Sequence, residues 1–292
     1  EVSVTVCLLG TFKPAESSIS RLDMSLRDLY GTAHYLDRDS EDGPYYITEN
    51  PKLSALVTRE QERVLGDNKD AVDDKLAEIV RDDVWGSKVS IYGRDDVPDG
   101  TSISVVVTLD YKTNGDLESD LNDFLSGQTY SNTTLFVTPS KELRVDDTIL
   151  RKTARVLGAE NLRGKVDDES GELERIIRDE RRELRNELAD RYGQWVKWSQ
   201  DHSGDLRLRR ISVGASVDDV KAKVGHDKTY IGETIEEEVA DADKGVRVES
   251  MLNDFKQFRR MPVVLEDSTF YSAVRQLHRN GDIVIEGDRS NY

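Results

Sequence analysis

The chain has 292 residues, 36% of them hydrophobic, and its 58 Asp and Glu outweigh 41 Lys and Arg for a formal charge of −17. That length allows two or three domains with small cores, and the charge argues against broad, charge-driven binding to nucleic acid or an anionic membrane. A single cysteine, Cys7 in an apolar run, excludes a disulfide framework and a cysteine zinc site, and fits a reducing, cytoplasmic setting.

In chain order, Val2 to Gly10 reads as a buried strand, and the absence of Met before Glu1 points to a piece of a longer polypeptide. Ile19, Leu22, Leu26 and Leu29 have helical spacing. Strand-like Thr32 to Leu36, a polar tip from Asp37 to Pro44 and a second strand from Tyr45 to Thr48 follow. Helix then hairpin is the order of a winged helix. Asn50-Pro51 opens a further helix, with Asn as cap and Pro at its first position, that runs to Gly66. Ala71 to Val84 is amphipathic through Val72, Leu76, Ile79 and Val80.

The middle of the chain predicts a βαβ unit. Ser102 to Leu109 and Ser131 to Pro139 are short runs rich in Val, Thr, Ile and Phe with helix-like Asp116 to Leu125 between them, so the two strands are expected to be parallel. Lys88 to Tyr92 adds a strand, and Asp95-Asp96-Val97-Pro98-Asp99-Gly100 is a turn. From Asp146 to Gln200 the expectation is helix, interrupted near Gly158 to Gly171, with Leu173, Ile177, Leu184, Leu188 and Trp195 on one stripe.

Asp201 to Asp205 reads as a boundary. Beyond it come an edge strand from Leu206 to Val213, a helix Val217 to Val224 capped by Ser216, and an acidic helix or linker from Glu233 to Asp243. Amphipathic helices at Val246 to Phe258 and Ser268 to Leu277 precede Asn280-Gly281 and a strand from Asp282 to Glu286, with a turn at Gly287-Asp288. This repeats the helix, strand and turn order of Arg21 to Thr48, a second winged helix in pattern. The resulting fold class is mixed α/β (α+β), with winged-helix modules flanking a small parallel-strand layer and a long helical arm. Its divisions are 1–66, 67–140, 141–205 and 206–292.

Chemical motifs are few. No Gly-x-x-x-x-Gly-Lys-Ser/Thr loop supplies a phosphate cradle. Val105 to Asp110 imitates the apolar strand and acid that hold Mg2+ in nucleotide hydrolases, but Tyr111 stands where a second acid is common. Asp37, Asp39, Glu41, Gly43 and Glu49 imitate a calcium loop with its Gly and Glu one residue late. His34, His202, His226 and His278 lack zinc spacing. Asn132-Thr133-Thr134 matches a glycosylation acceptor inside a strand. No catalytic, cofactor-binding or metal residue is assigned, and no stretch reaches the apolar length of a membrane span.

The N-terminal module sets Arg21 and Arg27 beside Asp23 and Asp28, with an acidic wing that repels phosphate. From Lys244 to Tyr292 there are eight Lys and Arg against seven Asp and Glu. There Lys256, Arg259 and Arg260 cluster, and Arg275 and Arg279 stand four apart on a helix, which makes these five the candidate nucleic-acid contacts.

Three stretches, Tyr45-Tyr46-Ile47-Thr48-Glu49-Asn50-Pro51-Lys52-Leu53, Asp96-Val97-Pro98-Asp99-Gly100 and Asn132-Thr133-Thr134-Leu135-Phe136-Val137, carry a resemblance. Together they resemble an uncharacterised domain family of large prokaryotic AAA+-like P-loop ATPases, some in phage-exclusion defence systems of the BREX type. The resemblance covers Thr11 to about Gln200. It implies that this region follows an ATPase core, that ATP and Mg2+ belong to the full-length protein alone, and that no ATP-site residue carries over. The expected function is a non-catalytic coupling and interaction region whose partners are that core, other proteins and, through the C-terminal module, DNA. A free-standing winged-helix DNA-binding regulator and an enzyme with an unrecognised site are the alternatives. The spread of acidic residues, with Arg preferred to Lys, fits a salt-adapted source and an ordinary acidic protein equally.

Overall fold

The computed structural model describes residues 24–25, 28–30, 33, 36–38, 45–47, 52–166, 171–200, 206–226, 228–242 and 245–286. Cys7, the expected strand at Val2 to Gly10, Arg21, Arg27, Asn50, Pro51, most of the acidic tip and the turn at Gly287-Asp288 lie outside these residues. By contacts the chain forms two compact units, Glu1–Val72 with Arg151–Arg181 and Asp73–Leu150 with Arg182–Tyr292.

In the first unit, helical residues 24–25 and 28–30 precede an antiparallel hairpin of β1 (Leu36–Arg38) and β2 (Tyr45–Ile47), with Leu36 opposite Ile47. Helix α1 (Leu53–Asp67) has Lys52 at its N-cap, two residues after the expected cap. Its Val57 joins Ala159 and Leu162 from the chain at Arg151–Arg181, together with Leu173 and Ile177, in one apolar core. Gly158 lets the backbones meet: a Cβ there would lie 2.9 Å from Gln61 N. Nearby, Gln61 Nε2 donates to Arg151 O at 3.1 Å.

The second unit is built on a five-stranded mixed sheet in the order β3 (Ser90–Ile91), β4 (Ser104–Val107), β5 (Thr134–Pro139), β6 (Tyr192–Gln200) and β7 (Leu206–Ser212). As the βαβ pattern predicts, β4 and β5 are parallel, Val106 beside Phe136, and β3 is parallel to β4. All six residues of β5 are buried, as suits a strand covered on both faces. Helix α2 (Lys69–Ile79) runs on into a π-helical turn, Val80–Val84. Helix α3 (Asn114–Ser126) is capped by Thr113 and buries Leu117, Leu121 and Leu125 against Val106, Phe136, Val196 and Leu208.

Helices α4 (Asp147–Asn161) and α5 (Glu172–Arg191) match the helical expectation, but the helix ends at Arg191. Tyr192–Gln200 is β6, antiparallel to β5 with Val137 opposite Trp195. Trp195 therefore belongs to the sheet and not to the stripe of Leu184 and Leu188. The physical reason lies in composition: Tyr192-Gly193-Gln194-Trp195-Val196-Lys197-Trp198 is aromatic and β-branched around a glycine, a poor helix and a good strand. The expected boundary at Asp201–Asp205 falls outside the described residues, yet the strands flanking it pair as a hairpin, Gln200 opposite Leu206. So β7 closes the sheet instead of opening a C-terminal module.

Ser216 caps α6 (Val217–Val224) by accepting from Asp219 N, as its position predicts. Helices α7 (Lys228–Ala240), α8 (Val248–Gln257) and α9 (Asp267–Asn280) share a core of Ile231, Ile235, Leu252, Phe255, Phe270, Val274 and Leu277. Gly281, at φ 85°, ends α9 in the left-handed conformation that glycine adopts without Cβ strain. The strand expected at Asp282 to Glu286 does not form: these residues follow the cap without a ladder partner among the described residues, and Val284 is 85% exposed.

Candidate functional site

The three parallel strands end at one edge, and the residues just past each end carry charge. Arg94 follows β3, Asp110 follows β4 and Arg144 follows β5, while α2 supplies Asp73 and Asp74. Arg144 grips two carboxylates at once. Its Nε and Nη2 donate to Asp73 Oδ1 and Oδ2 at 2.8 and 2.9 Å, and its Nη1 donates to Asp110 Oδ2 and Oδ1 at 3.0 and 3.1 Å. Arg94 donates to Asp73 and Asp74. Burial works against the Arg144 charge, but Asp73 and Asp110 outweigh it and hold the guanidinium above its ordinary pKa.

Beneath this network Tyr192, fully buried, donates its hydroxyl to Thr108 O at 3.0 Å and meets the edge of Trp85 at 5.8 Å between ring centroids. Burial pushes the Tyr192 phenol up, so it remains a neutral donor. Asp95 holds the loop after β3 by accepting from Ile91 N at 2.7 Å.

Asp110 is the acid that imitates a Mg2+ ligand, and both of its oxygens face Arg144. Among the described residues no group of three or more His, Cys, Asp or Glu is placed to hold a metal ion. The one acid that matches the pattern is engaged by a guanidinium. This network was not legible beforehand, because Asp73, Asp110 and Arg144 are 34 to 71 residues apart in sequence; only Asp110 stood in a recognisable pattern.

The five C-terminal cations do not share a face. Lys256 is 7% exposed and pairs with Asp267 at 2.7 Å. Arg259 lies 4.6 Å over the Trp198 ring, donates to Asn122 Oδ1 at 2.6 Å, and is pushed below its ordinary pKa by burial. Arg260 pairs with Glu238 at 2.9 Å. Arg275 is exposed and its Nε donates to Tyr271 O one turn back at 3.2 Å, and Arg279 is exposed too. Lys256 therefore ties α8 to α9 and Arg259 ties the residues after α8 to β6 and α3, and of the five only Arg275 and Arg279 remain together on an exposed helix face.

Asn132, the apparent glycosylation acceptor, is 8% exposed and works inside the fold. Its Nδ2 donates to Phe255 O and Met261 O at 2.7 and 3.1 Å, and its N donates to Lys256 O at 3.1 Å. Ser131 Oγ adds a bond to Gln257 O at 2.6 Å. Of the histidines, His226 stacks on Tyr230 and His278 Nδ1 lies 3.3 Å from Ile283 O, while His34 and His202 are outside the described residues. No helix among the described residues is long and apolar enough to cross a membrane.

No family model, curated protein or solved structure matches the chain.

Proposed function

We propose that this chain is a non-catalytic coupling and interaction region of a larger AAA+-like ATPase, of the kind found in phage-defence systems, acting in the cytoplasm with the ATPase core of the same polypeptide. The observation that carries this reading is the Arg144 bracket. In open α/β sheets the carboxyl ends of the strands are where ligands bind. Here that edge is filled by an arginine tied to α2 and to the end of β4, an arrangement suited to carrying displacement between elements and not to receiving a phosphate. Helical residues 24–25 and 28–30 and the pairing of β1 with β2 support a winged-helix module as the input side of that coupling.

The test is nucleotide turnover and its mechanical counterpart. The purified chain mixed with Mg-ATP is expected to release no phosphate, and turnover abolished by Asp110→Asn would overturn the reading. In the full-length polypeptide, hydrogen exchange around Asp73, Asp110 and Arg144 is expected to differ between ATP and ADP. Identical exchange in both states would remove the coupling role.

A further inference from the structure

Among the described residues, strand β7 is the last of the sheet and pairs with β6 alone. Val213 N donates to Gly193 O at 2.9 Å, so the alternation of an antiparallel ladder turns the main-chain groups of Leu208, Arg210 and Ser212 away from β6. Leu208 confirms the direction, because its N donates outward to Glu118 Oε2 on α3 at 3.3 Å. Glu118 closes the edge there. From Arg210 onward the outward N–H and C=O groups have no partner among the described residues.

At this open half the strand borders a groove of roughly 390 Å³, lined by Ser212, Val213 and Gly214 on one side and by Asp219, Ala222 and Lys223 of α6 on the other. A free strand edge flanked by a helix is the geometry by which an extended peptide joins a sheet. Main-chain hydrogen bonds supply the affinity, and alternate side chains enter the groove.

Charge indicates the occupant. Strand β7 carries Arg207, Arg209 and Arg210, and the last turn of α6 carries Lys221 and Lys223, within a chain of charge −17. Arg210 is committed to Gln194 Oε1, Lys112 O and the face of Tyr111. Arg207 pairs with Glu118 at 3.6 Å, whereas Arg209 and Lys223 are exposed. The one carboxylate in the groove, Asp219, accepts from Ser216 Oγ at 2.7 Å as part of the α6 cap. Charges of either sign guard a strand edge against self-pairing. A chain so rich in Asp and Glu would be guarded as well by carboxylates; since Asp218 and Asp219 balance Lys221 and Lys223 on α6, the run of arginines on β7 is what calls for a negative partner.

We propose that the open end of β7, from Arg210 to Ser212, receives an acidic extended segment of a partner protein as an added strand, with a side chain seated against Ala222. The proposal rests on the interaction reading above and names one of its surfaces; phosphate release by the chain bears on that reading and leaves this surface untouched.

The test is fluorescence anisotropy of the whole chain with a fluorescein-labelled Glu-Val-Glu-Val-Glu-Val peptide. Binding is expected, weaker by on the order of tenfold when the peptide backbone is N-methylated at alternate residues, and weaker again in about 0.5 M NaCl. Ser212→Pro removes one outward N–H while leaving the ladder to β6, and Ala222→Phe fills the groove; each is expected to weaken binding by a similar factor. If Ser212→Pro fails to fold, the N-methylated peptide makes the same cut on the ligand side. Equal affinity for a Lys-Val peptide, or full affinity after N-methylation, would overturn the proposal. So would a dimer in sedimentation velocity that Ser212→Pro dissolves, which would make a second copy the occupant.

Discussion

Arg191, the last residue of α5, donates from Nη1 to Asp146 Oδ2 at 2.8 Å, and the same carboxylate accepts from the main-chain N–H groups of Thr148 and Ile149 at 3.0 and 3.2 Å. One side chain thus starts α4 and pins the residue at which α5 gives way to β6. The Arg191 hydrogen bond, opposed by burial and reinforced by the helix N–H groups, holds the Asp146 carboxyl below the usual carboxylate range. Unfolded, the same group takes up a proton at about pH 4. In the window just below it the unfolded chain binds more protons than the folded one. The contribution of Asp146 is therefore complete above the unfolded pKa and is lost as pH falls through the folded one. Asp146→Asn should lower stability at neutral pH by about 1 kcal/mol and flatten the acid limb. Urea midpoints at neutral pH and at about pH 3 measure both; an unchanged acid limb would mean that other carboxylates govern it.

That same junction shows where the sequence was legible and where it was not. The βαβ unit could be read because Val105 to Val107 and Leu135 to Val137 are β-branched or apolar runs with a helix of matching period between them, all local signals. Ser216 could be read as a cap because capping acts over three residues. The change from α5 to β6 could not, because Leu184, Leu188 and Trp195 keep the four- and seven-residue spacing across the break, and a period shared by chance outlasts the helix itself. Of the two partners that make Tyr192–Gln200 a strand, β7 follows it as a hairpin but β5 is non-local to it. The basic cluster fails for a related reason. Spacing placed Lys256 and Arg259 side by side, but their partners are set by tertiary packing, Asp267 by that of α8 against α9 and Trp198 and Asn122 by that against β6 and α3.

Asn132 offers a direct measure of that packing. Asn132→Ala would leave the carbonyls of Phe255 and Met261 without their donor in a buried setting, with an expected loss of about 2–3 kcal/mol. Asn132→Asp should be worse, since it sets a carboxylate against the same two carbonyls. Chemical denaturation gives the order, and hydrogen exchange at residues 255–263 should rise in both variants. A neutral Asn132→Ala would mean that water replaces the amide at no cost.

In the first unit, helix propensity and packing predict opposite signs for Gly158→Ala. Propensity alone favours Ala by about 1 kcal/mol in a helix interior. The new Cβ, however, would stand 2.9 Å from Gln61 N and 3.2 Å from Glu60 C, backbone atoms that move only if α1 moves. Overpacking of this kind costs about 1–3 kcal/mol, so the net effect should be destabilising. Thermal unfolding of the variant decides it, and a raised midpoint would show that α1 shifts freely.

Lys256 and the Arg275/Arg279 pair divide stability from binding. Lys256→Glu would place a carboxylate at a position 7% exposed and facing Asp267, so a fall of about 3 kcal/mol or more in stability is expected. Arg275→Glu with Arg279→Glu alters two exposed side chains on one helix face and should leave the unfolding midpoint nearly unchanged, within about 0.5 kcal/mol for each site. Any duplex DNA binding seen in a mobility-shift assay at low salt should vanish in the double variant, because a phosphate contact is lost with each reversed charge. Reversing both arginines without loss of an observed shift would place the DNA contact elsewhere on the chain. The coupling reading expects the unaltered chain to bind duplex poorly, and tight, sequence-specific binding that survives high salt would instead favour a DNA-binding regulator.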